Sequence, residues 1–389
     1  MGRSAAAGLY VHVPFCSGKC AYCAFVSGPQ HRALSGRYLD ALDREASFHP
    51  GFRPETLYVG GGTPSELGVP ELERLFGLLA GRFGPLEALR EVTVEGNPES
   101  LLPDKLSLLR RLGVGRLSIG LQSSDDRLLE GLGRRHRCAD FERAYREAER
   151  LGFSLSVDVM LGLPGQSLSG ALSTLKTVMR LAPGHVSVYC LHVEEGTPLE
   201  RRGFAADEDL SREMFESSIE LLARAGYRHY EISNFARPGL ESRHNENYWL
   251  NGPYLGLGAA AASHLRGVRC ENDPDPASYC AKVERGESPA VQSEALSGKE
   301  KAGEDLLLGL RLVAGVPLTS RLRRHFTPEL ESLRRRGLIE LERSPRTGLP
   351  LRARLSREGL FLANKVFQEF VPPFETLPSA ESVPMGERA

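Results

Sequence analysis

Cys16, Cys20 and Cys23 lie within eight residues of one another, in Val13-Pro14-Phe15-Cys16-Ser17-Gly18-Lys19-Cys20-Ala21-Tyr22-Cys23, a C-x3-C-x2-C spacing. Three thiolates this close repel one another, and a metal centre is the ordinary reason for them to coexist. A structural zinc ion asks for four protein donors and usually for two paired cysteine knuckles. No second knuckle exists in the chain, and His12 alternates to the side of its strand opposite Val13. A [4Fe–4S] cube normally takes four cysteines. Three leave one iron open for a substrate or cofactor, as catalytic metal sites require. The spacing therefore favours a cluster with an open iron over zinc, and either over unmetallated core cysteines. Cys138, Cys190, Cys270 and Cys280 are scattered and read as small buried hydrophobes.

Other chemistry-bearing residues sit where strands end. Gly60-Gly61-Gly62-Thr63-Pro64 offers bare backbone amides and one hydroxyl to a polar ligand, although a glycine run alone is more often a tight turn. Glu95, in Glu95-Gly96-Asn97-Pro98, is by itself a solvated acid at a strand end. Gln122 ends Ser118-Ile119-Gly120-Leu121-Gln122, suited to hydroxyl or amide contacts. Arg134, in Gly133-Arg134-Arg135-His136, suits a bidentate grip on a carboxylate, against the plainer reading of a cation at a helix end. Asp158 interrupts the apolar run Leu155–Met160, where an unpaired acid is costly, so a partner is expected.

The elements that must position these residues form a repeating pattern. Strands are expected at 9–13, 57–59, 91–95, 116–121, 155–160 and 185–191, each followed by Gly, Pro or Asn. Helical stretches at 39–47, 70–81, 103–113, 125–132, 138–152 and 170–181 lie between them, several ending in Gly. Six such units predict right-handed βαβ connections and a parallel sheet, with functional loops at the C-terminal strand ends. The fold class is α/β, a partial (β/α)6 barrel with a C-terminal, mainly helical, winged-helix-like domain. The expected divisions are 1–235 for the barrel, 236–300 for an irregular connection, 301–375 for the helical domain and 376–389 for a disordered tail. Within the helical domain, helices are expected at 304–312, 319–326, 328–336 and 358–370, with strands at 338–342 and 351–355.

Composition narrows the classes. Lys and Arg number 49 against 50 Asp and Glu, for a net charge of -1. That balance argues against general binding to nucleic acid and allows at most peripheral membrane contact. No run approaches a membrane span and no leader is recognisable, so a cytoplasmic protein is expected. An odd total of seven cysteines does not suggest a disulfide framework. The winged-helix-like end is read as a packing or substrate-covering module rather than a DNA reader.

C-x3-C-x2-C with an aromatic residue, Tyr22, before the third cysteine resembles the radical S-adenosylmethionine (SAM) superfamily. In that family the open iron is chelated by the amino and carboxylate groups of SAM, and one electron from the cluster cleaves SAM to a 5′-deoxyadenosyl radical. The resemblance implies Cys16, Cys20 and Cys23 as cluster ligands and Tyr22 packed over the adenine. It implies Gly61, Gly62 and Thr63 at the SAM amino group, Glu95 nearby, and Tyr10, Gln122, Arg134 and Asp158 as further cofactor contacts.

The wider set, Tyr10–Cys16, GGGTPS, EGNP, SIGLQS, LGRRH, DVMLGLPGQ, YEISNFA and HNENYW, resembles the oxygen-independent coproporphyrinogen III oxidase family over roughly residues 9–370. True oxidases of that family carry a long segment before the motif and a fourth cysteine two residues past the third. Here 15 residues precede Cys16, and the fourth position is Phe25. The heme-chaperone (HemW) branch lacks both features and carries H-N-x-x-Y-W, here His244-Asn245-Glu246-Asn247-Tyr248-Trp249. A lone His is more often a structural hydrogen-bonder, but the branch implies His244 as a heme contact. Ala24 stands where the family commonly has an acid, and Ser242 where a cysteine often precedes the HN pair. The resemblance therefore implies a heme chaperone serving acceptor hemoproteins of respiration. The alternatives are coproporphyrinogen III dehydrogenation, with a porphyrinogen as substrate, and a zinc-stabilised scaffold. A homodimer is left open.

Overall fold

The computed structural model describes residues 7–28 and 32–373. The tail expected over 376–389 lies outside the described residues. The chain divides into two compact units, Met1–Leu296 with Arg311–Ala314, and Ser297–Leu310 with the residues from Gly315 onward.

The first unit opens with β1 (Gly8–Val13), α1 (Arg32–Ser47), β2 (Thr56–Gly61), α2 (Val69–Phe83), β3 (Glu91–Gly96) and α3 (Pro103–Arg111). It continues with β4 (Arg116–Gln122), α4 (Asp126–Gly131), α5 (Cys138–Arg150), β5 (Ser154–Leu161), α6 (Leu168–Leu181) and β6 (His185–Cys190). These six strands lie side by side in chain order, all parallel. Their residues alternate between two unlike faces, because successive side chains of a strand point opposite ways. Leu9, Val11, Leu57, Val59, Val94, Leu117, Ile119, Val157 and Val188 are buried on the face that takes the helices. Tyr10, His12, Tyr58, Glu95, Ser118 and Asp158 share the other face, where Tyr58 bonds Glu95 and Ser118 bonds Asp158 across neighbouring strands. A parallel sheet with apolar side chains on both faces would be buried against helices on both. Here the second face is polar, and it surrounds the candidate site.

Beyond β6 come α7 (Pro198–Arg201), α8 (Glu208–Arg224), β7 (Arg228–Glu231), β8 (Asn234–Ala236) and α9 (Arg243–Trp249). Then follow β9 (Tyr254–Leu257), β10 (Ala262–Leu265), β11 (Val268–Asn272), α10 (Pro276–Glu284) and β12 (Ala290–Ala295). The segment expected to be an irregular connection is therefore mostly strand and helix. β9 joins β1 in parallel, β10 to β12 extend that edge antiparallel, and β8 and β7 extend the β6 edge. The resulting sheet has 12 strands, and its edge strands β12 and β7 do not pair, so it stays open. The 17-residue α8, for which no helix was expected, is capped by Asp207 and packs on α6.

The second unit holds α11 (Gly298–Gly309), β13 (Val316–Pro317), α12 (Ser320–Arg335), β14 (Ile339–Arg343), β15 (Pro350–Leu355), α13 (Arg357–Phe361) and α14 (Ala363–Gln368). Its three-stranded sheet runs β13-β15-β14. The two helices expected at 319–326 and 328–336 are present and meet at a kink, where Phe326 (φ -132°, ψ 15°) is non-helical two residues before Pro328. The single helix expected at 358–370 is two short ones broken at Leu362.

Candidate functional site

The three cysteines occupy the loop that follows β1. Its base is closed by Cys16 N–H to the Gly28 carbonyl (2.9 Å) and Gly28 N–H to the Pro14 carbonyl (3.0 Å). Its far side is pinned through Ala21, whose N–H donates to the Leu132 carbonyl (2.8 Å) and whose carbonyl accepts from Leu199 N–H (2.9 Å). Cys16, Cys20 and Cys23 are all half-buried and free of disulfides. Tyr22 packs against Ala21, Leu132, Met160, Leu163, Leu191 and Leu199.

The glycine run after β2 lies directly on this loop. Gly62 N–H donates to the Val13 carbonyl (2.8 Å) and Thr63 N–H to the Phe15 carbonyl (2.8 Å). A Cβ on Gly62 would come within 2.6 Å of the Phe15 carbonyl oxygen, and one on Gly61 (φ +112°) within 2.7 Å of the His12 ring. The glycines are thus required first by the contact of β2 with the cysteine loop. Thr63 turns its hydroxyl to Cys16 Sγ (3.3 Å) and accepts a hydrogen bond from Asn97 Nδ2 (3.1 Å).

Arg134 ties the next two strands to the same loop. Its guanidinium donates to Asn97 Oδ1 (2.9 Å) and the Gly120 carbonyl (2.6 Å) and reaches Cys20 Sγ (3.8 Å). The fork expected to grip a carboxylate is spent largely on the protein. Its Nε is buried without a hydrogen-bond partner, while Glu99 Oε2 lies 3.4 Å from His136 Nδ1. Cys16, Cys20, Asn97, Glu99 and Arg134 line an open cleft. A cation and an amide facing thiolates suit a negatively charged sulfur cluster in that cleft. Among the described residues no three His, Cys, Asp or Glu side chains converge closely enough for a single metal ion. A cube, whose irons sit at separate corners, takes more widely set thiols.

The polar face of the sheet supplies the remaining candidates. Glu95 accepts from Tyr58 O–H (2.6 Å) and Gly61 N–H (3.2 Å). Burial pushes its carboxyl up to about 7, with the charge of Asp158 adding to the effect. Asp158, also raised by burial, accepts from Ser118 Oγ (3.2 Å), so part of the partner its position demanded comes from the chain. Gln122 has φ +67° at a β-bulge against β5, a backbone state disfavoured for a side chain and concentrated at ligand sites. Tyr10 O–H meets His12 Nδ1 (3.1 Å) beneath the glycine run. Tyr58 and Asn97 were not foreseen; Tyr58 lies two residues before Gly60, so strand alternation puts both on one face.

His244, the expected heme contact, is buried at the start of α9. Glu91 caps the start of α9, accepting from Arg243 N–H (2.8 Å) and His244 N–H (3.3 Å). The His244 ring is 1% exposed. Its Nδ1 is bonded to Thr56 Oγ1 (2.8 Å) and its Nε2 to Tyr248 O–H (2.8 Å). Burial holds its pKa down at about 3. An axial bond to iron would need one of these hydrogen bonds broken and the ring exposed.

The Radical SAM superfamily model matches residues 10–178. The heme chaperone HemW of Lactococcus lactis is 35% identical over 330 residues, 83% of this chain and 86% of the relative. The chain belongs to the HemW family of radical SAM proteins. The Escherichia coli HemW is 39% identical over 264 residues, covering 65% of this chain and 68% of its own. A mitochondrial radical SAM domain-containing protein 1 from Bos taurus is 36% identical over 343 residues, 83% of this chain and 77% of that protein. Among solved structures, E. coli coproporphyrinogen III oxidase (HemN), described as a radical SAM enzyme, superposes with a TM-score of 0.82 over 94% of this chain and 90% of its own, at 22% identity. That likeness gives the fold, the open α/β barrel with a C-terminal helical domain. The Radical SAM match, residues 10–178, spans the cysteine loop and the polar strand ends from Tyr10 to Asp158.

Proposed function

We propose that this chain is a heme chaperone that carries a [4Fe–4S] cluster on Cys16, Cys20 and Cys23, binds SAM, and passes heme to acceptor hemoproteins in the cytoplasm. The observation that carries the reading is the extent of the match to heme chaperones, 83% of the chain at 35% identity. No helix among the described residues is long and apolar enough to cross a membrane. When bound, the cluster offers an open iron to SAM and supplies one electron to its sulfonium. The chain's own residues do the positioning. Arg134 and Thr63 hold two of the thiols from opposite elements, Tyr22 shapes the apolar wall, and Glu95 and Asp158 present acceptors to the cationic nucleoside.

The test separates chaperone from oxidase. Anaerobically reconstituted protein, given coproporphyrinogen III, SAM and a reductant, is expected to yield no protoporphyrinogen. The same preparation loaded with heme is expected to convert an apo-hemoprotein to its holo spectrum. Accumulation of protoporphyrinogen would replace the chaperone reading with the oxidase.

The Glu95 carboxyl carries its own expected result. With a folded-state pKa near 7, it is protonated below that pH and charged above it. SAM is cationic and favours the charged form, so SAM binding should tighten as pH rises from about 6 to 8 and release protons near pH 6. Glu95→Gln should flatten that dependence. Isothermal titration in buffers of different ionisation enthalpy measures both, and an equally steep profile in Glu95→Gln removes this carboxylate from the SAM site.

A further inference from the structure

We propose that His136 is a positioning residue for the cluster, a cation set beside Arg134 that together with Glu99 fixes the charge facing Cys20. This rests on the cluster reading above and adds to it a residue that holds no ligand itself.

His136 lies between α4 and α5 and is 2% exposed. A buried imidazole must account for both of its nitrogens. Nε2 faces the Leu121 carbonyl (3.3 Å), which can only accept, so Nε2 carries a proton. Nδ1 faces Arg134 Nη2 and Glu99 Oε2, each at 3.4 Å. Arg134 asks for a lone pair there, and Glu99 for a proton. The count of hydrogens decides between them. Nη2 has two N–H bonds, and the Gly120 carbonyl (2.6 Å) and Asn97 Oδ1 (2.9 Å) take both at shorter range. Glu99 Oε2 is buried with no other partner, and a buried carboxylate oxygen without a proton donor is costly. Nδ1 therefore turns a proton to Glu99, and the ring is an imidazolium. Burial opposes the Glu99 charge, but the bond from His136 and the charge of Arg134 prevail and hold that carboxyl below its usual range.

Two cations and one anion thus stand together next to Cys20, whose Sγ lies 3.8 Å from Arg134 Nη1. They leave one net positive charge. A cluster becomes more negative when it takes up an electron, so positive charge beside a ligand sulfur favours the reduced form. Without the His136 charge, Glu99 would cancel Arg134. The ring also ties the site together mechanically. Leu121, whose carbonyl it holds, precedes Gln122 at the bulge. A Cβ on Gly120 would meet Gln122 Nε2 at 3.0 Å and both Arg134 Nη2 and Asn97 Oδ1 at 3.3 Å, so three side chains converge over one glycine.

The test is an EPR-monitored redox titration of the cluster in the full-length, reconstituted protein without SAM. His136→Gln keeps a donor but no charge. It should make one-electron reduction about tenfold less favourable, which lowers the midpoint potential by about 59 mV. Removing the anion as well restores the sum, so the double variant His136→Gln, Glu99→Gln should return to the wild-type potential. Glu66 and Arg135, which also line the cleft, are the same in both. A role in packing alone would be worsened by the second substitution, not reversed. Should His136→Gln fail to assemble the cluster, recovery of a full cluster in the double variant carries the same conclusion. A wild-type potential in His136→Gln, a double variant as low as the single, or loss of the cluster in both overturns the proposal and leaves the cysteine ligands standing. Wild-type protein that holds no redox-active cluster overturns the cluster reading itself.

Discussion

Cys20→Ala is expected to leave the chain without its cluster. Wild-type protein reconstituted anaerobically should hold about four irons and four acid-labile sulfides per chain, and the variant close to none of either. The effect is nearly all-or-none because the loop has no spare thiol. Cys138 starts α5, Cys190 ends β6, Cys270 lies within β11 and Cys280 within α10, so none belongs to the loop. Cys20 is also the thiol that Arg134 approaches, and its carbonyl accepts the Cys23 N–H (3.1 Å), setting the turn between two ligands. Iron and sulfide analysis decides the matter. A full complement in Cys20→Ala would mean that the ligand set is different.

Gly258→Ala should cost about 3 kcal/mol of stability, an unusually large penalty for one methyl group. Gly258 follows β9 with φ +101°, and an added Cβ would fall 2.4 Å from Tyr38 Oη and 2.7 Å from the His12 carbonyl oxygen. Neither neighbour can yield. Tyr38 is completely buried and donates to that same carbonyl (2.9 Å), and Ala259 N–H donates to the Tyr38 hydroxyl (2.8 Å). Gly196→Ala is the matched comparison, since its φ is +75° with nothing within 4 Å of the new methyl, so only the backbone penalty of about 1–2 kcal/mol applies. Urea denaturation of the two variants measures the difference. Equal losses would show that the Tyr38 and His12 contacts impose no constraint.

The first half of the fold was readable because each strand from β1 to β6 combines a buried aliphatic face with a Gly-, Pro- or Asn-marked loop. The second half was not. β8 has three residues and β9 four, and β12 has five exposed residues out of six, too short or too solvated to show alternation. β9 is held by β1, whose register runs Leu9 to Leu255, and no local pattern reveals a partner so distant in sequence. The site divides along the same line. Cys16, Cys20 and Cys23 declare themselves by spacing alone. Asp158 stands out as an acid in an apolar strand, whereas Glu95 becomes a candidate only through the family resemblance. Tyr58 and Asn97 have meaning only through neighbours distant in sequence, Glu95 on the next strand in one case and Thr63 with Arg134 on loops in the other. The His244 motif is visible in the chain, but its burial between Thr56 and Tyr248 is a property of packing.

The pinning of Ala21 by Leu132 and Leu199 sets a schedule for the newborn chain. The three thiols leave the ribosome long before either clasp exists. At ~5–20 residues per second, roughly ten to thirty-five seconds pass between the emergence of Cys23 and that of Leu199. During that interval the far side of the loop lacks its two clasps, and only the local contacts to Gly28, Gly62 and Thr63 are within reach. The loop in its folded shape, with both clasps in place, is complete only once Leu199 has emerged.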